Sequence, residues 1–177
     1  MANNNSKTSF ILGLVISVVA VSVVGFFIFS SSGSKSEQPE QPGQVLGVQF
    51  DGEKGQTVSI VNKQISLDAN ILDDGLAHFY NTVLPNGKTV FFFVVKDKSG
   101  AYRAAANACQ VCYDSKQGFR QEGDYMVCNT CGNKYPLAKI ATEKGGCNPG
   151  PINPNLQVVG GKVIIQQSDI EQVANFF

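Results

Sequence analysis

Residues Arg103 to Ile152 read RAAANACQVCYDSKQGFRQEGDYMVCNTCGNKYPLAKIATEKGGCNPGPI, and this stretch holds all five cysteines of the chain. Cys109 and Cys112 form one C-x-x-C, Cys128 and Cys131 form a second, and fifteen residues lie between the pairs. A C-x-x-C bends the backbone so that two sulfurs face one ion, and two such knuckles brought together complete a tetrahedron of thiolates. Gly132 follows the second pair directly and suits the turn, because glycine adopts positive φ without a Cβ clash. The spacing therefore predicts a metal or cluster site; two disulfides are the competing reading.

Cys147 is one sulfur more than a tetrahedral site needs. It lies in Gly145-Gly146-Cys147-Asn148-Pro149, a turn by composition. Three roles are open to it: replacing one of the four ligands, joining a polynuclear centre, or remaining an uninvolved loop thiol. Glycines beside a cysteine let the backbone approach a cofactor closely.

Two other residues are candidate ligands. His78, the only histidine, sits in Ala77-His78-Phe79-Tyr80 on an expected strand; imidazole binds zinc, copper and iron, although a structural role is the simpler reading. Met126, two residues before Cys128, offers a thioether to copper(I) or packs as a core side chain. Cys112 is followed by Tyr113 rather than histidine, so c-type haem attachment is not supported.

The runs Ala108-Cys109-Gln110-Val111-Cys112-Tyr113, Gly118-Phe119-Arg120-Gln121-Glu122-Gly123-Asp124-Tyr125-Met126-Val127-Cys128-Asn129-Thr130-Cys131-Gly132 and Gly145-Gly146-Cys147-Asn148-Pro149 resemble the FtrD-like family of membrane iron-sulfur proteins, from about His78 to the C-terminus. The resemblance implies an iron-sulfur cluster on Cys109, Cys112, Cys128, Cys131 and Cys147, with a zinc or copper ion as the alternative. It also implies a bacterial or archaeal iron-acquisition setting, near a ferrous-iron permease and periplasmic metal and redox proteins. Some relatives carry a many-helix membrane portion ahead of this domain. This chain has a single hydrophobic span, so permease activity is not carried over.

Around the cysteine stretch the chain divides into four parts. Residues 1–9 are a short polar tail with Lys7, and residues 10–29, FILGLVISVVAVSVVGFFIF, carry no charge. At about 1.5 Å per residue this run is long enough, as a helix, for the roughly 30 Å hydrocarbon core of a bilayer. A cleaved signal peptide is the alternative, supported by the small residues Ser30 and Ser32, but the run exceeds the usual length of a signal-peptide apolar region. An uncleaved single-pass anchor in the cytoplasmic membrane is therefore expected. With Lys7 on one side and Lys35 on the other, the expected orientation is a cytoplasmic N-terminus and an extracytoplasmic C-terminal domain. Residues 30–44, SSSGSKSEQPEQPGQ, lack large apolar side chains and read as a flexible tether.

Residues 45–177 remain for one folded domain. The expected class is mainly β (α+β), a small antiparallel-sheet domain with cysteine knuckles and a short C-terminal helix. Val45 to Phe50, Thr57 to Val61, Gln64 to Leu67 and Ala77 to Leu84 read as strands. Pro85-Asn86-Gly87-Lys88 is a hairpin turn into Thr89 to Lys96, whose Val-Phe-Phe-Phe-Val-Val run predicts a strand buried on both faces. After the turn at Lys98-Ser99-Gly100, Ala101 to Ala105 leads into the first knuckle. Arg120 to Tyr125 reads as the hairpin returning the second cysteine pair to the first. Pro149, Pro151 and Pro154 mark an irregular crossing, and Leu156 to Val159 with Lys162 to Gln166 form a hairpin about Gly160-Gly161. Ser168-Asp169-Ile170-Glu171 reads as a capping box opening a helix to Phe177, with Ile170, Val173 and Ala174 docking on the sheet.

Composition narrows the functions. The formal net charge is zero, which suggests no nucleic-acid partner. Arg103, Arg120, Lys134, Lys139 and Lys144 give the cysteine region a basic excess, suited to an anionic cluster or an acidic redox partner, or simply a solvated face. A serine-histidine-acid triad, a phosphate-binding loop and paired carboxylates are all missing from the pattern, so hydrolysis and phosphoryl transfer are not indicated. Three classes remain: a membrane-tethered electron-transfer or metal-handling component, a structural zinc ribbon in a binding module, and a thiol-disulfide redox protein.

The apolar run generates a direct test. The full-length chain is expected to stay with membranes through an alkaline carbonate wash, and a chain truncated to begin at Val45 to remain in the supernatant. Recovery from cells of a mature chain beginning at Gly33 would overturn the anchor.

Overall fold

The computed structural model describes residues 49–177. The expected tail, membrane span and tether, and most of the first expected strand, lie outside the described residues. Among the described residues no helix is long and apolar enough to cross a membrane.

The central element is the apolar run foreseen as a doubly buried strand. Thr89–Lys96 (β4) is the middle strand of a five-stranded sheet, flanked by His78–Val83 (β3) and Tyr102–Cys109 (β5). Gln56–Thr57 (β1) pairs in parallel with β3 at one edge, and Pro149–Asn153 (β9) closes the other. Successive side chains of a strand face opposite sides. Accordingly Val90, Phe92 and Val94 enter one core, and Phe93 and Val95 enter another. Alanines on β5 oppose the phenylalanines, Ala106 across from Phe92 and Ala105 across from Phe93, so small residues accommodate the large rings.

Each face is covered by a small antiparallel sheet. On the first, Gln64–Asp68 (β2), Gln157–Val159 (β10) and Lys162–Gln166 (β11) form a sheet in the order β10-β11-β2. Its Ile65, Leu67, Val163 and Ile165 share the core of Phe92 and Val94. On the second, Phe119–Glu122 (β6), Tyr125–Cys128 (β7) and Lys134–Pro136 (β8) form a meander. Its Phe119, Met126 and Cys128 pack with Phe93 and Cys109. The domain is mainly β as expected, but it is built from three sheets and includes one parallel pair.

Several expected elements change on folding. Thr57 to Val61 does not continue as a strand: β1 ends at Thr57, and Val61 makes only an isolated bridge to Gln64. The intervening Asn62 and Lys63 adopt positive φ, as the tight turn demands. Phe50 is not in a strand but is buried, its ring stacked on Phe91 at 4.3 Å. β5 begins at Tyr102 and runs four residues past Ala105 to Cys109. The proline crossing is in fact strand β9, paired to β5 with register shifts; an edge strand tolerates prolines because its outer N–H groups need no partner. Gly150 lies so close to the Phe176 ring that a Cβ there would sit 2.4 Å from it.

The capping box does not form. The C-terminal helix, Gln167–Glu171 (α1), starts one residue before Ser168, with Gln166 at its N-cap and no side-chain cap. It stops at Glu171 and a separate 3-10 turn spans Ala174–Phe176. Ile170 and Val173 are nevertheless buried in the first core, with Ala174 packed against it.

The turn between β4 and β5 is organised by Asp97, whose side chain is almost fully buried. Its carboxylate accepts hydrogen bonds from Ser99 N–H (2.9 Å), Ala101 N–H (3.1 Å) and Arg103 Nε (2.7 Å), and also from the Ser99 hydroxyl. Burial pushes its pKa up, but these donors outweigh burial and hold it below the usual aspartate value. A depressed carboxylate pKa contributes stability that is present above the unfolded-state value and is lost as pH falls through the folded-state value. Thermal stability is therefore expected to fall on acidification below about pH 4, with a smaller acid dependence in Asp97→Asn. Asp97→Ala, which leaves Arg103 without its carboxylate, is expected to cost about 3–5 kcal/mol by denaturant unfolding.

Candidate metal centre

The strand register decides where the first sulfur goes. Ala105 faces the second core, so Asn107 and Cys109, two and four residues on, fall on the same side. Cys109 ends β5 almost fully buried. Its Sγ accepts hydrogen bonds from the N–H groups of Val111 (3.3 Å) and Cys112 (3.1 Å). These bonds turn the backbone so that Cys112 comes back towards Cys109. Cys112 then caps a 3-10 turn, Tyr113–Ser115. The Tyr113 ring packs against Phe176, and Lys116 Nζ donates to the Phe176 carbonyl at 2.9 Å, so the C-terminus braces this loop.

Asn107 ties the two cysteine pairs together. Fully buried, it accepts from Phe119 N–H (2.7 Å) and donates to the Glu53 carbonyl (2.8 Å). Gly118 adopts a φ of 63° and lies against the Asn107 side chain, where a Cβ would come within 2.6 Å. The β6–β7 hairpin then runs out and back as expected, pairing Phe119 with Cys128. Cys128 is buried, and Gly132, with a φ of 74°, donates from its N–H to the Cys128 carbonyl at 2.9 Å. Cys131 sits exposed at the tip of this turn. Asn129 links the second knuckle to the first, its Nδ2 donating to the Gln117 carbonyl at 2.8 Å and its N–H to the Gly118 carbonyl at 3.0 Å. The hydroxyls of Ser115 and Thr130 also meet across the gap.

The third loop is held by the residue inside the first knuckle. Gln110 N–H donates to the Asn148 carbonyl (3.1 Å), and its Oε1 accepts from Gly145 N–H (2.5 Å). Gly145 and Gly146 both take positive φ, and Cys147 is delivered half-buried to the cysteine side of the second core.

The outcome is a clustered five-cysteine site. The sulfurs of Cys109, Cys112 and Cys147 lie within 4.8 Å of one another, and so do those of Cys112, Cys128 and Cys131. All five are thiols rather than disulfides. Burial pushes the Cys112 thiol up strongly, and the neighbouring Cys109, Cys147 and Cys128 sulfurs add to the effect. Tyr135 on β8 borders the site; burial raises its phenol and Cys147 raises it further, against a hydrogen bond from Asn133. A cation among the sulfurs reverses this balance, since a coordinated thiol is deprotonated outright.

The other candidates are placed differently. His78 lies on β3 with its Nε2 2.9 Å and 3.1 Å from the two carboxylate oxygens of Asp74, and among the described residues it joins neither group of cysteines. Met126 is fully buried in the second core. Of the basic residues, Arg103 pairs with Asp97, Arg120 and Lys134 share Glu122, and Lys139 faces Glu143. Their charge is largely answered by carboxylates, as on a solvated face.

Sequence reasoning missed Asn107, Gln110, Asn129 and Tyr135. For Asn107 a signal existed, a lone amide within the alanine run from Ala104 to Ala108. Gln110 and Asn129 gave none, because their partners come from other loops.

The description "Membrane iron-sulfur containing protein FtrD-like" belongs to a family model that matches residues 72–177. No curated protein and no solved structure matches the chain. The matched region contains the central sheet from β3 onwards, the meander, and all five cysteines. The chain belongs to the FtrD-like family of membrane iron-sulfur containing proteins.

Proposed function

We propose that the domain holds an iron-sulfur cluster on Cys109, Cys112, Cys128, Cys131 and Cys147 and serves as a membrane-anchored electron-transfer or metal-handling component of an iron-acquisition system. The carrying observation is that separate loops bring five sulfurs to one end of the second core, with Cys147 beside Cys109 and Cys112. An all-thiolate donor set fits the group, because iron-sulfur clusters are held by cysteine thiolates. When bound, such a group supplies one-electron chemistry. The chain supplies rigidity from β5, amide hydrogen bonds to Cys109, and a partly dry wall of Phe93, Phe119 and Ile140; hydrogen bonds to sulfur and solvent exposure are what tune a cluster's potential.

Exposure is graded across the site. Cys109 and Cys128 are buried, Cys112 and Cys147 half-buried, and Cys131 exposed. A donor or acceptor can therefore approach from the side of Cys131 while the inner sulfurs stay fixed. Residues 10–29 would anchor the domain, and residues 30–44 would let it reach membrane or periplasmic partners. A zinc ribbon needs only the four sulfurs of the two C-x-x-C pairs, and placement of the fifth among them favours the cluster. A thiol-disulfide cycle is disfavoured because Cys112 leads into a three-residue 3-10 turn rather than a helix whose N-terminus would stabilise a thiolate.

The test is anaerobic purification of the full-length chain followed by iron, sulfide and zinc analysis and a visible spectrum. Iron with inorganic sulfide and a broad visible absorption are expected. Cys109→Ser and Cys131→Ser are expected to lose most of the metal, and Cys147→Ser to change the spectrum or lower the metal content while the fold survives. Stoichiometric zinc with a colourless protein would establish the ribbon instead. A native spectrum with full loading in Cys147→Ser would remove that residue from the ligand set.

A further inference from the structure

A single tetrahedral ion with bonds of about 2.3 Å to sulfur places its four sulfurs all about 3.8 Å from one another. The two C-x-x-C pairs alone would satisfy that arrangement if they closed on one point. Taken within 4.8 Å of one another, the sulfurs do not form one set of four. They fall into two sets of three, Cys109 with Cys112 and Cys147, and Cys112 with Cys128 and Cys131, and Cys112 is common to both.

From this arrangement we infer that Cys112 is a shared thiolate bridging two metal positions, with Cys109 and Cys147 completing one side and Cys128 and Cys131 the other. The inference rests on the proposed reading that these sulfurs hold metal, and it specifies how they divide the work.

The loops support the same division. The first knuckle is the hub on which both other cysteine segments are hung. On one flank Gln110 holds the Cys147 loop through Asn148 and Gly145. On the other, Ser115, whose hydroxyl also donates to the Cys112 carbonyl at 2.7 Å, meets Thr130 between Cys128 and Cys131. Cys112 stands between the two anchor points in sequence, and its sulfur stands between the two groups in space. Three thiolates on each ion leave one tetrahedral vertex for a non-protein ligand, such as inorganic sulfide or water, on each side of the bridge.

Charge favours two ions over one. Four thiolates around one divalent cation leave two formal negative charges, with the fifth sulfur an uncoordinated thiol, whereas five thiolates on two divalent cations leave one. Of the cationic side chains in this region, Arg103, Arg120, Lys134 and Lys139 already face carboxylates. Lys144, just ahead of the Cys147 loop, is the remaining cation of this set, so most of the neutralisation of a half-buried sulfur cluster falls to the ions themselves.

The test uses the full-length chain in detergent, reduced, freed of metal with a chelator, and loaded anaerobically with the isotope ¹¹³Cd as Cd²⁺ in the absence of sulfide. Two bound cadmium ions per chain are expected, with two NMR resonances split by cadmium-cadmium coupling through the shared sulfur. In Cys112→Ser the splitting is expected to vanish and loading to fall to one ion or fewer, whereas Val111→Ala, a neighbouring change that removes no sulfur, keeps both. Wild-type loading of one ion, or two unsplit resonances, would overturn the bridge while leaving metal binding intact. Splitting that persists in Cys112→Ser would overturn it equally, and failure of the wild type to bind cadmium would overturn both the bridge and the proposed reading.

Discussion

Phe92 and Phe93 point to opposite sides of one strand, and both rings have to be kept from water. Burying a phenylalanine contributes about 1.5–3 kcal/mol, and β4 adds Val90, Val94 and Val95, all fully buried. A strand with two apolar faces needs a cover on each, so the chain supplies two. The β10-β11-β2 sheet lies over one face, and the β6-β7-β8 meander over the other. The second cover carries the second C-x-x-C motif, at the end of β7, and the first lies at the end of β5 in the sheet it covers. Packing the core and assembling the sulfur site are thus parts of one event.

Alternation along β5 then transmits the position of the core to the chemistry. Because Ala105 faces Phe93, Asn107 and Cys109 are committed to the meander side. A one-residue slip would turn Cys109 away from Cys128 and bring Asn107 out of reach of the Phe119 amide. Asn107 is a buried polar group whose loss would leave the Phe119 N–H and the Glu53 carbonyl without this partner, so a polar contact and a sulfur ligand enforce the same register. The C-terminus adds a further restraint through Phe176, which presses on Tyr113 and lies over Gly150.

The site itself is made from loops mounted on these fixed strands. Gly118, Gly132, Gly145 and Gly146 take positive φ where the chain turns around the sulfurs, and side-chain amides of Gln110 and Asn129 cross between loops. Such an arrangement can present a reactive group near the surface without making its support mobile, since the ligands inherit the order of the sheet.

The sequence by itself determined the doubly buried strand at Thr89 to Lys96, the hairpins around Asn86-Gly87, Gly123 and Gly160-Gly161, and the five cysteines as candidate ligands. Each of these is a local property, set by periodicity, turn chemistry or spacing along the chain. Only the tertiary structure decided that Cys147 lies beside Cys109 and Cys112, that Asn107 and Gln110 hold the loops together, that His78 faces Asp74, and that the proline segment is an edge strand. These depend on partners far away in the chain, brought together by covering the two faces of β4, and no local pattern encodes a partner's identity. Ser168 shows the same limit in miniature. Its spacing matched a capping box, but Gln167 N–H bonds the Lys63 carbonyl, and the helix starts where β11 ends rather than where the local signal placed it.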